Sequence, residues 1–209
     1  MIVAIPIFDG ITALDAIGPY EVLSRLPRTR VYFVATRPDM IRTENGMLAL
    51  HADATLSALA RPDVIVFPGG FGTRKLMHDE QVLDWLRGAH EASQWTTSVC
   101  TGALVLAAAG ILDGLEATTH WMLLDKLGKI GSHPPTPVSR RVVEQGKVIT
   151  AAGVSSGIDM ALTLAARIAG DEMARAIQLG IEYDPEPPFD SGSTAKASPA
   201  IVEMARERS

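Results

Sequence analysis

The chain has 209 residues, 47% of them hydrophobic and 21% charged, with a formal net charge of −5. That length and balance fit one globular domain with a substantial buried core. The negative charge and the lack of any Lys/Arg run argue against nucleic acid or anionic lipid as a partner. No segment approaches the roughly 20 unbroken apolar residues that a bilayer span needs. The start, MIVAIPIFDG, lacks the basic region and cleavage site of a signal peptide and reads as the first strand of a cytoplasmic protein.

In chain order, the apolar run 2–7 predicts a strand, followed by a loop holding Asp15 and a helix over 19–26 opened by Gly18-Pro19. A strand at 31–35 and a shorter one at 48–51 precede the strand 64–67, which runs into Pro68-Gly69-Gly70-Phe71-Gly72. A helix is predicted over 79–92, then a strand over 96–99, then a helix over 102–109 that Gly110 terminates. Residues 138–143 and 147–151 read as a hairpin joined through Glu144-Gln145-Gly146. Helices over 156–169 and 171–182 follow. Pro185, Pro187, Pro188 and Pro199 make 184–199 an ordered arm before a short terminal helix. Near-continuous apolar strands alternating with helices predict an α/β fold with a mostly parallel sheet covered on both faces, mixed at one edge. One domain spanning 1–209 accommodates these elements, and no internal repeat is visible.

The chain has one cysteine, Cys100, which is either a small core hydrophobe or a working thiol. Its context favours the second. Trp95-Thr96-Thr97-Ser98-Val99-Cys100-Thr101-Gly102-Ala103-Leu104 passes from a β-branched strand directly into an Ala/Leu helix, so Cys100 must occupy the turn. Such an elbow puts the side chain at the carboxyl end of the strands, where open α/β sheets bind ligands. The helix N-terminus beside it is expected to favour thiolate over thiol. Gly69 and Gly70 emerge at the same edge, where their amides are candidate oxyanion donors. Neither a dinucleotide fingerprint nor a P-loop is present.

Asp15, an acid among apolar residues, is either a cap for the helix near Pro19 or a desolvated acid/base for the thiol. His120, in Thr118-Thr119-His120-Trp121, is a further candidate as base in a Cys-His pair, or a plain strand-end residue. The other histidines show no metal-ligand spacing, and no metal is expected.

Cys100 on its elbow, Pro68-Gly69-Gly70 and Asp15 together resemble the ThiJ/PfpI superfamily, over almost the whole chain. The resemblance implies a flavodoxin-like three-layer sandwich with a reactive cysteine beside a carboxylic acid. Ser98-Val99-Cys100-Thr101-Gly102, Ala117-Thr118-Thr119-His120-Trp121, Gly157-Ile158-Asp159 and Glu182-Tyr183-Asp184-Pro185 resemble, more narrowly, its isocyanide hydratase branch. That implies hydration of an organic isocyanide to an N-substituted formamide without a cofactor, through a Cys100 thioimidate. By the same resemblance Asp15 handles the protons, Thr101 orients the acid, and Gly69 and Gly70 stabilise developing charge. A homodimer is also implied. One departure is Leu115-Glu116, where hydratase-like sequences often carry a basic pair.

Proteolysis is disfavoured because peptidase-like members carry His directly after the nucleophile, where this chain has Thr101. The alternatives are a glyoxalase-type stress protein and a stand-alone ligand or redox sensor. The same segments resemble the amino-terminal half of AraC-type regulators. Too few residues follow the arm for two DNA-reading helices, which favours the enzyme.

Overall fold

The computed structural model describes residues 1–208. Its strands are β1 (Ile2–Pro6), β2 (Arg30–Ala35), β3 (Met40–Arg42), β4 (Ala49–His51), β5 (Ala54–Thr55), β6 (Val64–Phe67), β7 (Trp95–Val99), β8 (Glu116–Ala117), β9 (Thr136–Pro137), β10 (Val142–Gln145) and β11 (Val148–Ala151). Its helices are α1 (Ala13–Leu23), α2 (Thr73–Leu76), α3 (Glu80–Ala92), α4 (Gly102–Ala108), α5 (Leu124–Leu127), α6 (Ser156–Ala169), α7 (Asp171–Gly180) and α8 (Pro199–Glu207).

Seven strands form the main sheet in the order β10-β11-β7-β6-β1-β2-β5. Every neighbouring pair is parallel except β10–β11. The mixed edge is the hairpin expected from the sequence. Its strands are shifted, because Glu144 and Gln145 pair with Ile149 and Val148 and only Gly146-Lys147 turns. The expected strand over 48–51 instead pairs with β3 as a separate two-stranded ribbon.

All four residues of β6 are buried, as are Val3, Ala4 and Ile5 of β1, which is what a parallel strand covered on both faces requires. Helices α1 and α6 pack against each other, and α4 packs on β7 and β6 with α3 alongside it, giving a flavodoxin-like three-layer sandwich. Asp79 caps α3 by accepting from the amides of Gln81 and Val82, so that helix begins one residue later than expected.

The first helix departs most from expectation. Pro19 marks the middle of α1, not its start, and the helix begins at Ala13. Proline removes the donor that would bond the carbonyl four residues earlier, but burial of Ala16, Gly18, Pro19, Val22 and Leu23 outweighs the loss. The consequence is functional: Asp15 lies in the first turn of a helix. No helix among the described residues is long and apolar enough to cross a membrane.

Candidate active site

Strand β7 ends at Val99 and α4 begins at Gly102, leaving Cys100 and Thr101 to make the whole turn. Cys100 adopts φ +54°, in the left-handed region that a side chain seldom visits. Three hydrogen bonds hold it there. Its amide donates to the carbonyls of Ala151 (3.1 Å) and Ala152 (2.8 Å), and Thr119 Oγ1 donates to its carbonyl (2.8 Å). Gly102 makes the close approach of α4 feasible, since a Cβ there would stand 2.1 Å from the Phe67 carbonyl oxygen.

Asp15 meets this elbow from α1. It is fully buried, and Oδ2 accepts the Gly69 amide at 2.9 Å, while Oδ1 accepts no hydrogen bond. Burial raises its pKa from the ordinary 3.8 to about 7; the Gly69 amide and the neighbouring Cys100 thiol act in the opposite direction, and Glu44 adds to the rise. Asp15 therefore does not cap α1. Its placement depends on Gly69, because a Cβ there would fall 2.5 Å from Thr101 N and 2.9 Å from Asp15 Oδ2.

The open donor pair expected at Gly69 and Gly70 is not what the structure presents. The Gly69 amide is spent on Asp15, and the Gly70 amide donates to Thr101 Oγ1 at 2.8 Å. Thr101 Oγ1 also lies 3.1 Å from both the Gly70 carbonyl oxygen and Thr73 Oγ1, and makes no hydrogen bond to Asp15. The Thr101 hydroxyl thus ties the elbow to the glycine loop instead of orienting the acid directly. The amides that do reach the sulfur are those of Thr101 and Val154. Val154 has φ +36°, an outlying conformation for a β-branched residue, and its amide points at the reactive atom.

Burial opposes the thiolate that the helix N-terminus favours. Burial pushes the Cys100 pKa well above its usual value, and the charge on Asp15 pushes the same way; the Thr101 and Val154 amides only partly counter them. Helix α4 is only seven residues long, and the thiol at its start is only 5% exposed, so desolvation works against its dipole. Two acids crowded together resist carrying two charges, so the pair holds its single charge preferentially on Asp15.

Cys100 opens into a cavity of about 320 Å³ lined by Thr12, Phe71, Met122, Leu123 and Val154 among others. His120 lines the same cavity, but no hydrogen bond joins its ring to the sulfur, so the expected Cys-His pair is absent among the described residues. Burial lowers the His120 pKa, which favours the neutral ring. Glu44 stands at the mouth, exposed, with Arg74 and with Arg206 and Arg208 from the end of the chain, where α8 folds back over the opening. Val154, Thr119, Glu44 and these arginines were not singled out from the sequence as site residues. Val154 had one usable signal, the loop after the 148–150 strand, which leaves the sheet at the same edge as Cys100.

A nucleophile-elbow thiol beside a buried carboxyl, on a flavodoxin-like sheet, defines the class. Residues 1–167 match the DJ-1/PfpI family, and the chain belongs to it. In the same class, isonitrile hydratase of Pseudomonas putida is 44% identical over 202 residues, covering 97% of this chain and 87% of that protein. A ThiJ/PfpI family protein from Pseudomonas syringae superposes with a TM-score of 0.91 at 35% identity, covering 99% of this chain and 84% of that one. The regulator likeness is present and weaker: the helix-turn-helix transcriptional regulator CdhR of Pseudomonas aeruginosa is 29% identical over 81% of this chain and 50% of its own length.

Proposed function

We propose that this protein is a hydratase that converts organic isocyanides and water to N-substituted formamides. The observation that carries the reading is the buried Cys100 thiol on its strained elbow, with the buried Asp15 carboxyl fixed beside it by the Gly69 amide and a cavity opening onto the sulfur. Near-full-length similarity to an isonitrile hydratase supports it.

The terminal carbon of an isocyanide accepts a nucleophile and, once attacked, carries an electron pair that needs a proton. A thiol and a carboxylate supply both. The Cys100 S–H bond breaks as its proton moves to Asp15 and the sulfur bonds to carbon; Asp15 then delivers that proton to the same carbon. The thiol has inserted the isocyanide into its S–H bond, giving a thioimidate with no leaving group, and Asp15 is ionised again. Water adds to the thioimidate carbon as Asp15 accepts its proton and relays it to nitrogen. The C–S bond of the tetrahedral adduct then breaks, the hydroxyl proton returns to sulfur, and the formamide leaves. One water is consumed and nothing is oxidised. The Thr101 and Val154 amides stabilise charge on the sulfur as it forms and as it departs. Gly69 places the acid through its amide, and Gly70 with Thr101 braces the loop that carries it. His120 contributes a neutral wall near the sulfur in this scheme.

Freshly reduced protein incubated with an aryl isocyanide is expected to accumulate the formamide, while methylglyoxal in a parallel reaction is left unconsumed. Dicarbonyl loss without formamide formation would replace the hydratase reading with a glyoxalase-type one.

The reading includes a homodimer. Exposed Leu179 and Phe189, 81% and 78% accessible in the single chain, support it as apolar surface awaiting cover. Sedimentation at micromolar concentration should return twice the chain mass, and a monomer there would refute the dimer.

A further inference from the structure

Three arginines, Arg74, Arg206 and Arg208, line the cavity that contains Cys100. Each comes without a carboxylate: among the described residues, no ion pair involves any of them. Of the other eleven arginines, six have acidic partners and five have none among the described residues, so what sets these three apart is that they gather on one cavity. Two of the unpaired three are braced on aromatic rings. The Arg74 guanidinium sits 4.5 Å from the Phe71 ring centroid, and that of Arg206 sits 5.4 Å from the Trp121 centroid. A guanidinium lying on a ring loses little freedom when it binds an anion and keeps its planar fork available.

The charge at this opening runs against that of the molecule. The chain carries −5, yet its active-site mouth holds three arginines against one exposed carboxylate, Glu44. Glu44 lines the same cavity and bears electrostatically on Asp15, Cys100 and His120. The Arg74 side and the returning α8 helix make up the cationic part. A uniformly neutral substrate gives no reason for such a cluster. A molecule with an electrophilic carbon at one end and an anion at the other does, since the cluster would set which end enters first.

Resting on the hydratase reading, we infer that the cavity selects isocyanides that carry a carboxylate, held at the mouth by Arg74, Arg206 and Arg208 while the isocyanide carbon meets Cys100. The substrate class is an isocyano acid, with the corresponding N-formyl amino acid or formamido acid as product.

The test compares 4-isocyanobenzoate with its neutral methyl ester as substrates of the full-length protein. The ratio of their kcat/KM values should favour the carboxylate by about tenfold or more, a difference of about 1.4 kcal/mol at 25 °C, and should shrink as salt is raised. In the Arg206→Gln/Arg208→Gln double variant the ratio should fall toward one, and Arg206→Lys/Arg208→Lys should retain part of it because the charge remains. A wild-type ratio of one or below, or a ratio unmoved in the Gln variant, overturns the inference while leaving the hydratase reading intact. Should neither isocyanide turn over, the hydratase reading falls, and calorimetric titration with 4-formamidobenzoate and its methyl ester decides the anion site alone. Tighter binding of the carboxylate supports it, and equal or undetectable binding overturns it.

Discussion

Cys100→Ser abolishes isocyanide hydration, with kcat reduced by about 10,000-fold or more, while the protein remains folded. The substitution replaces sulfur by oxygen and leaves the elbow's constraints in place. The amide bonds to Ala151 and Ala152 and the Thr119 hydroxyl on the Cys100 carbonyl all involve backbone atoms. Nucleophilicity is what changes. Asp15, at about 7, can receive a proton from a thiol whose pKa burial has raised, because the sulfur surrenders it as the C–S bond forms. A buried serine hydroxyl is a far weaker acid and offers a far poorer nucleophile and leaving group. Steady-state formamide formation together with a thermal unfolding curve checks both halves of the expectation. Turnover by the serine variant within tenfold of the original, on the order of 1.4 kcal/mol, would remove Cys100 from the reaction.

Asp15→Asn gives the second large effect, and activity and stability move in opposite directions. Loss of the proton carrier should lower kcat/KM by about 100- to 10,000-fold, the usual range for a general acid/base. In the unsubstituted protein kcat/KM should rise as pH passes upward through about 7, when Asp15 ionises and can accept the thiol proton; the variant should lose that rise.

The stability side follows from the same burial. A carboxyl whose pKa is raised by folding holds its proton more tightly in the native state, so between 3.8 and about 7 the native state binds more protons than the unfolded one. Stability therefore falls as pH rises across that window and is flat above it. Moving a carboxyl from 3.8 to about 7 corresponds to roughly 4 kcal/mol at 1.36 kcal/mol per pH unit. That is a ceiling on what asparagine recovers. Asparagine still offers Gly69 an acceptor, but its buried amide N–H groups need partners of their own, at a cost of about 1–3 kcal/mol if they find none. Denaturant unfolding at pH 5 and pH 8 separates these effects. The original protein should lose stability between the two and the variant should lose much less. Equal losses in both proteins would mean that the Asp15 charge is not buried at a cost.

The main sheet was legible because its strands are covered on both faces and read as unbroken apolar runs, Val64–Phe67 being the clearest. The elbow was legible because no residue separates a β-branched strand from an Ala-rich helix except Cys100 and Thr101. The start of α1 was misread because Pro19 is a strong local signal for a first turn, and only packing against α6 shows that it lies inside a longer helix. Asp15 was therefore found but placed on a loop. The environment of the thiol was only half legible for a related reason: a helix N-terminus is visible in sequence, whereas the depth of burial that opposes it is not. Val154 illustrates the limit most sharply. Nothing in its residue type suggests a left-handed backbone, and its role comes from the pairing of β11 with β7, which sets Ala151 beside Val99 and carries the next loop over the sulfur. The arginines at the mouth are distant in sequence, and only the return of α8 brings Arg206 and Arg208 to Arg74.

The central claim is that Cys100 takes up the whole isocyanide before water enters. Intact-protein mass spectrometry of a reaction quenched before the steady state should show the chain heavier by the full mass of the isocyanide, with no group lost and with the addition mapped to Cys100. Formamide produced at full rate with no such species on the protein, or the addition found at another residue, would contradict it.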